Sequence, residues 1–214
     1  FIDLFPDIET LDRSPLRKIL SVWQGLGYNR RALALKKIAR IVIEEFNGKI
    51  PQSLDELVKF PGIGQATASE ILAFAFNQPT VFIETNIRSV FLHYFFPERD
   101  DVSDDEILPL VAKTVDHSNP RKWYYALMDY GTFLKRQYAN PNRKSTHYYK
   151  QSSFKGSNRQ IRGKIVKYLT ENQSTTGKQI ARDLQIPFEK AESNLITLEK
   201  EGFLTRKGKR LTIT

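Results

Sequence analysis

The sequence predicts a mainly α-helical chain: a long helical segment interrupted by one tight glycine turn, then a small module of three helices and a β-hairpin. Three observations carry that prediction. Apolar residues recur at helical spacing through the first 138 residues, with no convincing strand alternation. Pro61-Gly62-Ile63-Gly64 separates two short helical patterns, a turn too tight for side chains at both glycine positions. Near the C-terminus, Phe203 to Ile213 alternates around Lys207-Gly208, as the arms of a β-hairpin do.

Ser14-Pro15 reads as an N-cap followed by a proline at the first helical position. Leu16, Ile19, Leu20 and Trp23 then mark a helix that Gly25 or Gly27 should stop. Leu35, Ile38, Ala39, Val42 and Phe46 mark a second helix, closed by Asn47-Gly48, a pair suited to left-handed backbone. Ser53-Leu54-Asp55-Glu56 has the spacing of a capping box and opens a short helix that Pro61-Gly62 must end. The helix after Gly64 carries Ala68, Ile71, Leu72 and Ala75 on one face. Ser103-Asp104-Asp105-Glu106 is a second capping box, so this acidic cluster reads as helix-start chemistry rather than a metal site. Asn119-Pro120 begins a helix through Trp123, Leu127 and Leu134. Residues 139–158 lose periodicity and shift to Asn, Ser, Pro, Lys and Tyr, the composition of a linker or strap. Beyond it, Ile161, Ile165, Val166 and Leu169, then Ile180, Ala181 and Leu184, then Phe188, Ala191, Leu195 and Leu198 mark three helices. The expected organisation is therefore 1–138, 139–158 and 159–214.

Composition narrows the function classes. The 214 residues include no cysteine, which rules out disulfides, a thiolate-held iron–sulfur cluster, a zinc finger and a cysteine nucleophile. His93, His117 and His147 show no metal-ligand spacing. No apolar run approaches the roughly 18 residues of a membrane span, and Phe1 opens no signal segment. A cytoplasmic monomer without membrane contact is expected, nucleoid-associated in a bacterial or archaeal cell. Because the chain starts at Phe1 rather than Met, the gene is expected to start upstream. Charge is unevenly placed: residues 1–134 hold 15 basic and 18 acidic side chains, whereas 135–214 hold 18 basic and 6 acidic. That basic tail is the footprint of a polyanionic partner, set against the plainer reading of a solvated face.

The Pro61–Gly64 turn leaves backbone N–H groups without intrahelical partners at Gly62, Ile63, Gly64, Gln65, Ala66 and Thr67, where they can hold a phosphate without reading bases. An ordinary helical corner is the alternative. The string Phe60-Pro61-Gly62-Ile63-Gly64, with Ala68 and Ile71 behind it, resembles the helix-hairpin-helix motif. The resemblance extends through Trp23-Gln-Gly-Leu-Gly-Tyr28, Val81-Phe-Ile-Glu-Thr-Asn-Ile-Arg-Ser-Val90 and Ala126-Leu-Met-Asp-Tyr-Gly131. In that order and spacing, residues 1–138 are similar to the endonuclease III and MutY-type adenine DNA glycosylases.

The resemblance implies the helix-hairpin-helix DNA glycosylase fold, double-stranded DNA as partner, and base excision repair by hydrolysis of the N-glycosidic bond of a flipped damaged or mispaired base, adenine in a mismatch among them. Glu84 stands where the family carries its essential aspartate, suited to stabilise oxocarbenium character at C1′. It retains the carboxylate with one more methylene, and a plain helix-start role is the alternative. Ala66 occupies the place of the lysine that forms a Schiff base in bifunctional relatives, which implies a monofunctional hydrolase. Tyr138 to Tyr148 replaces the family's four-cysteine loop, so no iron–sulfur cluster is expected and the strap should be anchored by aromatic and basic residues. A glutamate that protonates the leaving base in MutY-type enzymes would lie before Phe1, so this chain is expected to excise poorly by itself. A monovalent cation on the carbonyls of Val58, Phe60 and Ile63 is also implied, with no other cofactor. Tyr28, Asn29 and Arg30 would contact DNA, Tyr28 or Asn29 filling the gap left by the base, while Trp23 and Tyr130 read as core.

Residues 159–214 resemble a winged helix-turn-helix domain. Its expected DNA contacts are Arg206, Lys207, Lys209 and Arg210 on the wing, supported by Arg159, Arg162, Lys164 and Lys167. Its third helix, with Glu189, Glu192, Glu199 and Glu201, should repel phosphate. The competing functional reading is a non-catalytic DNA-binding or regulatory protein that keeps the helix-hairpin-helix scaffold.

Overall fold

The computed structural model describes residues 1–214. Eight helices come first: α1 (Ile8–Arg13), α2 (Leu16–Val22), α3 (Arg30–Phe46), α4 (Leu54–Leu57), α5 (Gln65–Phe76), α6 (Thr85–Phe95), α7 (Asp104–Thr114) and α8 (Pro120–Gln137). A 3-10 turn (Pro141–Lys144) follows, then α9 (Asn158–Glu171), α10 (Gly177–Asp183), α11 (Phe188–Lys200), β1 (Leu204–Lys207) and β2 (Arg210–Ile213). The mainly helical fold is as expected, and no strand occurs before β1.

Local chemistry explains most boundaries. Asn47 takes left-handed backbone at φ 52° and its N–H bonds the Val42 carbonyl, closing α3. Asn119 Oδ1 accepts from Lys122 N at 3.2 Å ahead of Pro120, and Glu106 Oε1 accepts from Ser103 N at 3.2 Å in the capping box of α7. Two expectations fail. Ser14 does not cap α2, because its hydroxyl donates back to the Thr10 carbonyl at 2.8 Å and closes α1. Ser53 makes no side-chain cap bond either.

Packing divides the chain differently from the expected 138/158 boundaries. Residues 1–50 and 151–214 form one unit, and residues 51–150 form the other. In the first unit, Leu16, Ile19, Leu20 and Trp23 share one core with Ile165, Leu169, Leu195, Leu198 and Phe203. Arg17 bonds the carbonyls of Thr170, Asn172 and Gln173 at 3.0 to 3.1 Å, satisfying the orphan acceptors at the end of α9. Glu201 receives Arg30 at 2.5 Å and also pairs with Arg162. β1 and β2 pair antiparallel with Lys207 opposite Arg210, and Thr175 adds a bridge to Leu211.

The second unit is built around Phe82, Ile87, Phe91, Leu92, Ile107, Val111 and Tyr124. Arg88 and Asp104 make a two-pronged ion pair at 2.6 and 2.7 Å that joins α6 to α7. The strap is anchored here, chiefly by an amide rather than by aromatic rings. Asn142 is buried and donates to the Thr85 carbonyl at 3.0 Å and Ser89 Oγ at 2.5 Å. Lys144 bonds the Phe96 carbonyl at 3.3 Å, whereas Tyr138, Tyr148, Tyr149 and Phe154 are exposed.

Candidate active site and nucleic-acid interface

The hairpin is held from beneath by apolar residues. Leu57, Phe60, Ala68 and Leu72 are buried on either side of the turn. Gly62 has φ +80°, left-handed backbone that a side chain would strain. The Gly64 carbonyl accepts from Ala68 N at 2.9 Å and starts α5, but Gly64 has no side chain to cap the helix. The amides of Gln65, Ala66 and Thr67 consequently have no internal acceptor, and these residues are exposed together with Gly62 and Gly64. A Cβ on Gly64 would meet open space, so the glycine keeps a clear approach to those donors. Ile63 departs from the expected set, since its N–H bonds the Phe60 carbonyl at 3.1 Å within the turn.

The carbonyls implied for a monovalent cation fit that role by their donor chemistry. Those of Val58 and Ile63 accept no backbone N–H, and that of Phe60 accepts from Ile63 N at 3.1 Å. Each carbonyl oxygen has two lone pairs.

Glu84 is the N-cap of α6. One carboxylate oxygen accepts from Asn86 N at 2.5 Å and Ile87 N at 3.3 Å, and the other accepts from Asn86 Nδ2 at 2.7 Å. An ionised carboxylate offers about four lone-pair sites, so this engagement fixes its direction and leaves acceptor capacity. Asn86 is itself positioned: Thr132 Oγ1 donates to its Oδ1 at 3.3 Å. Gly131 permits that approach, because a Cβ there would lie 2.1 Å from the Asn86 carbonyl oxygen.

Sequence reasoning missed Asn86, Gly131 and Glu70. Gly131 carried a signal, a glycine inside a helical pattern. Glu70 carried one too, as the only charged residue of α5. It is half-buried, and burial followed by the charge of Glu84 raises its pKa above the ordinary carboxylate range. Tyr124, pushed up to about 12 by burial, donates to the Thr80 carbonyl at 2.7 Å and fixes the segment that leads to Glu84.

Among the other expected contacts, Tyr28 is exposed at φ +48°, with its hydroxyl accepting from Gln151 at 3.2 Å. Asn29 caps α3 without a side-chain bond. Arg30 is engaged by Glu201. These three lie in the first unit, and the hairpin and Glu84 in the second. Trp23 is buried as expected. Tyr130 is not core: it is exposed and stacks on Phe133 at 5.7 Å.

On the β-hairpin, Lys207, Lys209 and Arg210 are exposed. Arg206 instead pairs with Glu192 at 2.7 Å and Glu199 at 3.3 Å, so it is committed inside the module. Arg162 is likewise committed to Glu201, and Arg159 to the Ser152 carbonyl at 2.6 Å. Of the glutamates on α11 and its C-cap, Glu192, Glu199 and Glu201 are thereby paired. No group of His, Asp and Glu residues has the arrangement of a metal site, and no helix is long and apolar enough to cross a membrane.

The helix-hairpin-helix motif family matches residues 45–74. Over 138 residues the chain is 39% identical to the adenine DNA glycosylase of Buchnera aphidicola subsp. Baizongia pistaciae, covering 63% of this chain and 38% of that protein. The chain thus spans less than two-fifths of that relative. Among solved structures it resembles a thermostable thymine-DNA glycosylase, with TM-score 0.55, 22% identity and 65% of each chain covered. It also resembles endonuclease III in a non-covalent DNA complex, with TM-score 0.50, 22% identity, and 64% of this chain and 62% of that one covered. The chain carries the helix-hairpin-helix motif on the fold of these glycosylases, and adenine DNA glycosylases are among its relatives.

Proposed function

We propose that this relative of the helix-hairpin-helix DNA glycosylases is itself a monofunctional DNA glycosylase, hydrolysing the N-glycosidic bond of a base turned out of duplex DNA, with a mismatched adenine as its first candidate substrate. One observation carries the reading: a carboxylate aimed by three N–H donors at a helix start stands in the same unit as a turn of unpartnered, exposed amides. The amides of Gly62, Gly64, Gln65, Ala66 and Thr67 hold backbone phosphate and register the duplex without reading its sequence. Base extrusion brings C1′ to Glu84, because the bond is inaccessible inside the stack. As the C1′–N bond lengthens, positive charge grows on the sugar. Glu84, already fixed in direction, stabilises that charge without having to reorganise. Ala66 supplies no amine, so water completes the reaction.

A cation on the Val58, Phe60 and Ile63 carbonyls would add positive charge beneath the phosphate. The C-terminal module acts as a winged helix whose Lys207, Lys209 and Arg210 add non-specific backbone contacts, and the protein works as a DNA-bound monomer without an iron–sulfur cluster.

Incubated with a mismatched-adenine duplex, the protein should release free base and leave an abasic site, and borohydride should trap no protein–DNA adduct. A trapped adduct would replace the water mechanism by an amine nucleophile. Tight duplex binding with no base released on mismatched adenine or thymine would favour the non-catalytic alternative.

A further inference from the structure

Between Gly62 and Ile83 the chain has one charged side chain, Glu70. It sits at the middle of α5 with no lysine or arginine three or four residues away. No charged side chain of α4, α6 or α8 makes an ion pair or hydrogen bond with it, and neither does Lys59. Arg121 is held by the Ala75 carbonyl at 2.9 Å and Arg88 by Asp104. The segment that carries Glu84 is pinned to the same helix beside it: Thr80 Oγ1 donates to the carbonyl of Ser69, the preceding residue, at 2.8 Å. Glu84 is accordingly the charge that bears on Glu70.

The two carboxylates occupy opposite surroundings. Glu84 accepts three N–H hydrogens at the start of α6 and is fixed in direction by them. Glu70 accepts none, is half-buried, and feels the charge of Glu84. Two carboxylates, one engaged by N–H donors and the other half-buried with none, can divide the work of charge stabiliser and acid. Ala66, one turn earlier on the same face of α5, is small and exposed, which leaves that face open to a nucleotide held at the hairpin.

We infer that Glu70 is the proton donor to the departing base, working opposite Glu84, so that this chain releases base without the glutamate that the resemblance places before Phe1, against the poor excision expected from the sequence; the inference rests on the glycosylase reading above. The Glu70 carboxyl proton passes to a ring nitrogen of the base as the C1′–N bond breaks, and the bonding pair leaves with the base. Water oxygen then adds to C1′, and the proton it sheds returns to Glu70. The products are the free base and the abasic sugar, with the enzyme restored.

The test is single-turnover excision from a mismatched-adenine duplex across about pH 5 to 9, where a general acid is visible as an alkaline fall in rate. Glu70→Gln should slow excision by about 10²-fold or more and remove that fall, while binding of an abasic-analogue duplex stays within a few-fold. Glu70→Asp should recover part of the rate together with the pH dependence. In the free protein, the Glu70 carboxyl followed by NMR should titrate at lower pH in Glu84→Gln than in the unmodified chain, a readout independent of turnover. Full-rate excision by Glu70→Gln with an unchanged profile, while Glu84→Gln is silent, would overturn the inference and leave the glycosylase reading standing. An unmodified protein that excises neither mismatched adenine nor mismatched thymine would overturn that reading, and this inference with it.

Discussion

The hairpin at residues 58–67 and the β-hairpin at residues 204–213 are both proposed to hold DNA, and each has one expected donor already committed, Ile63 N in the first and Arg206 in the second, but the donors differ in kind. In the first, the donors are backbone amides, left open because glycine caps α5 without a side chain. In the second they are side-chain cations, and Arg206 is already paired with Glu192 and Glu199. An amide's availability is decided within four residues of chain. A cation's availability is decided by which carboxylates the fold brings beside it, here from a different element of the same module. Charge counting therefore overstates the wing, whereas glycine spacing describes the turn fairly.

The largest expected effect comes from disturbing what aims the carboxylate beyond the hairpin. Gly131→Ala places a Cβ against the Asn86 backbone, which cannot step aside as a flexible side chain would. A loss of about 3 kcal/mol in stability is expected, the upper range for overpacking, together with a fall in excision larger than the fall in duplex binding. A thermal melt and a single-turnover assay on the same variant would show whether the two losses separate.

Next comes the Arg30–Glu201–Arg162 cluster, which has no counterpart at the hairpin. Glu201→Ala strands two guanidinium groups, one of them mostly buried, and should cost about 1–3 kcal/mol. Burial works to raise the Glu201 pKa, but the hydrogen bonds from Arg30 and Arg162 outweigh it and bring it below the ordinary carboxylate range. The folded-state pKa is thus the lower one, so its contribution is present at neutral pH and is lost as pH falls from the ordinary carboxylate range through the depressed value. Glu201→Gln should accordingly flatten the acid side of a plot of Tm against pH. An unchanged acid side would show that the cluster is solvated and energetically idle.

The smallest effects separate wing residues from one another. Replacing Lys207, Lys209 and Arg210 together with alanine should make the salt dependence of duplex binding shallower by about 0.9 per lost phosphate contact. Arg206→Ala should instead lower Tm and leave the salt slope in place, because its charge is committed to Glu192 and Glu199. The reverse pattern would mean that Arg206 leaves its carboxylates when DNA binds.

How much was legible in advance follows the same division between local and distant chemistry. Most helices, the Gly62–Gly64 turn, the N-cap at Asn119 and the β-hairpin depend on neighbours in the chain and were readable, whereas α1 was not marked. The joining of residues 1–50 with 151–214 was not, because Arg17 and Arg30 find their partners more than 150 residues away. The strap was misjudged for a related reason: Asn142, inconspicuous in a polar run, is buried by α6 and does the anchoring. At the candidate site the helix-start position of Glu84 was readable, whereas the surroundings of Asn86 and Gly131 are set by contacts between α6 and α8. The lone charge of α5 was the one visible hint.

The central claim, that Glu84 serves bond cleavage beside a hairpin that only holds DNA, is tested most directly by Glu84→Gln. Base release from a mismatched-adenine duplex and affinity for an abasic-analogue duplex should be measured on the same preparation. The account predicts a loss of about two orders of magnitude or more in release, with affinity within a few-fold, because the substitution removes charge and keeps shape. Release at the unmodified rate would take Glu84 out of the mechanism, leaving it a helix cap and nothing more.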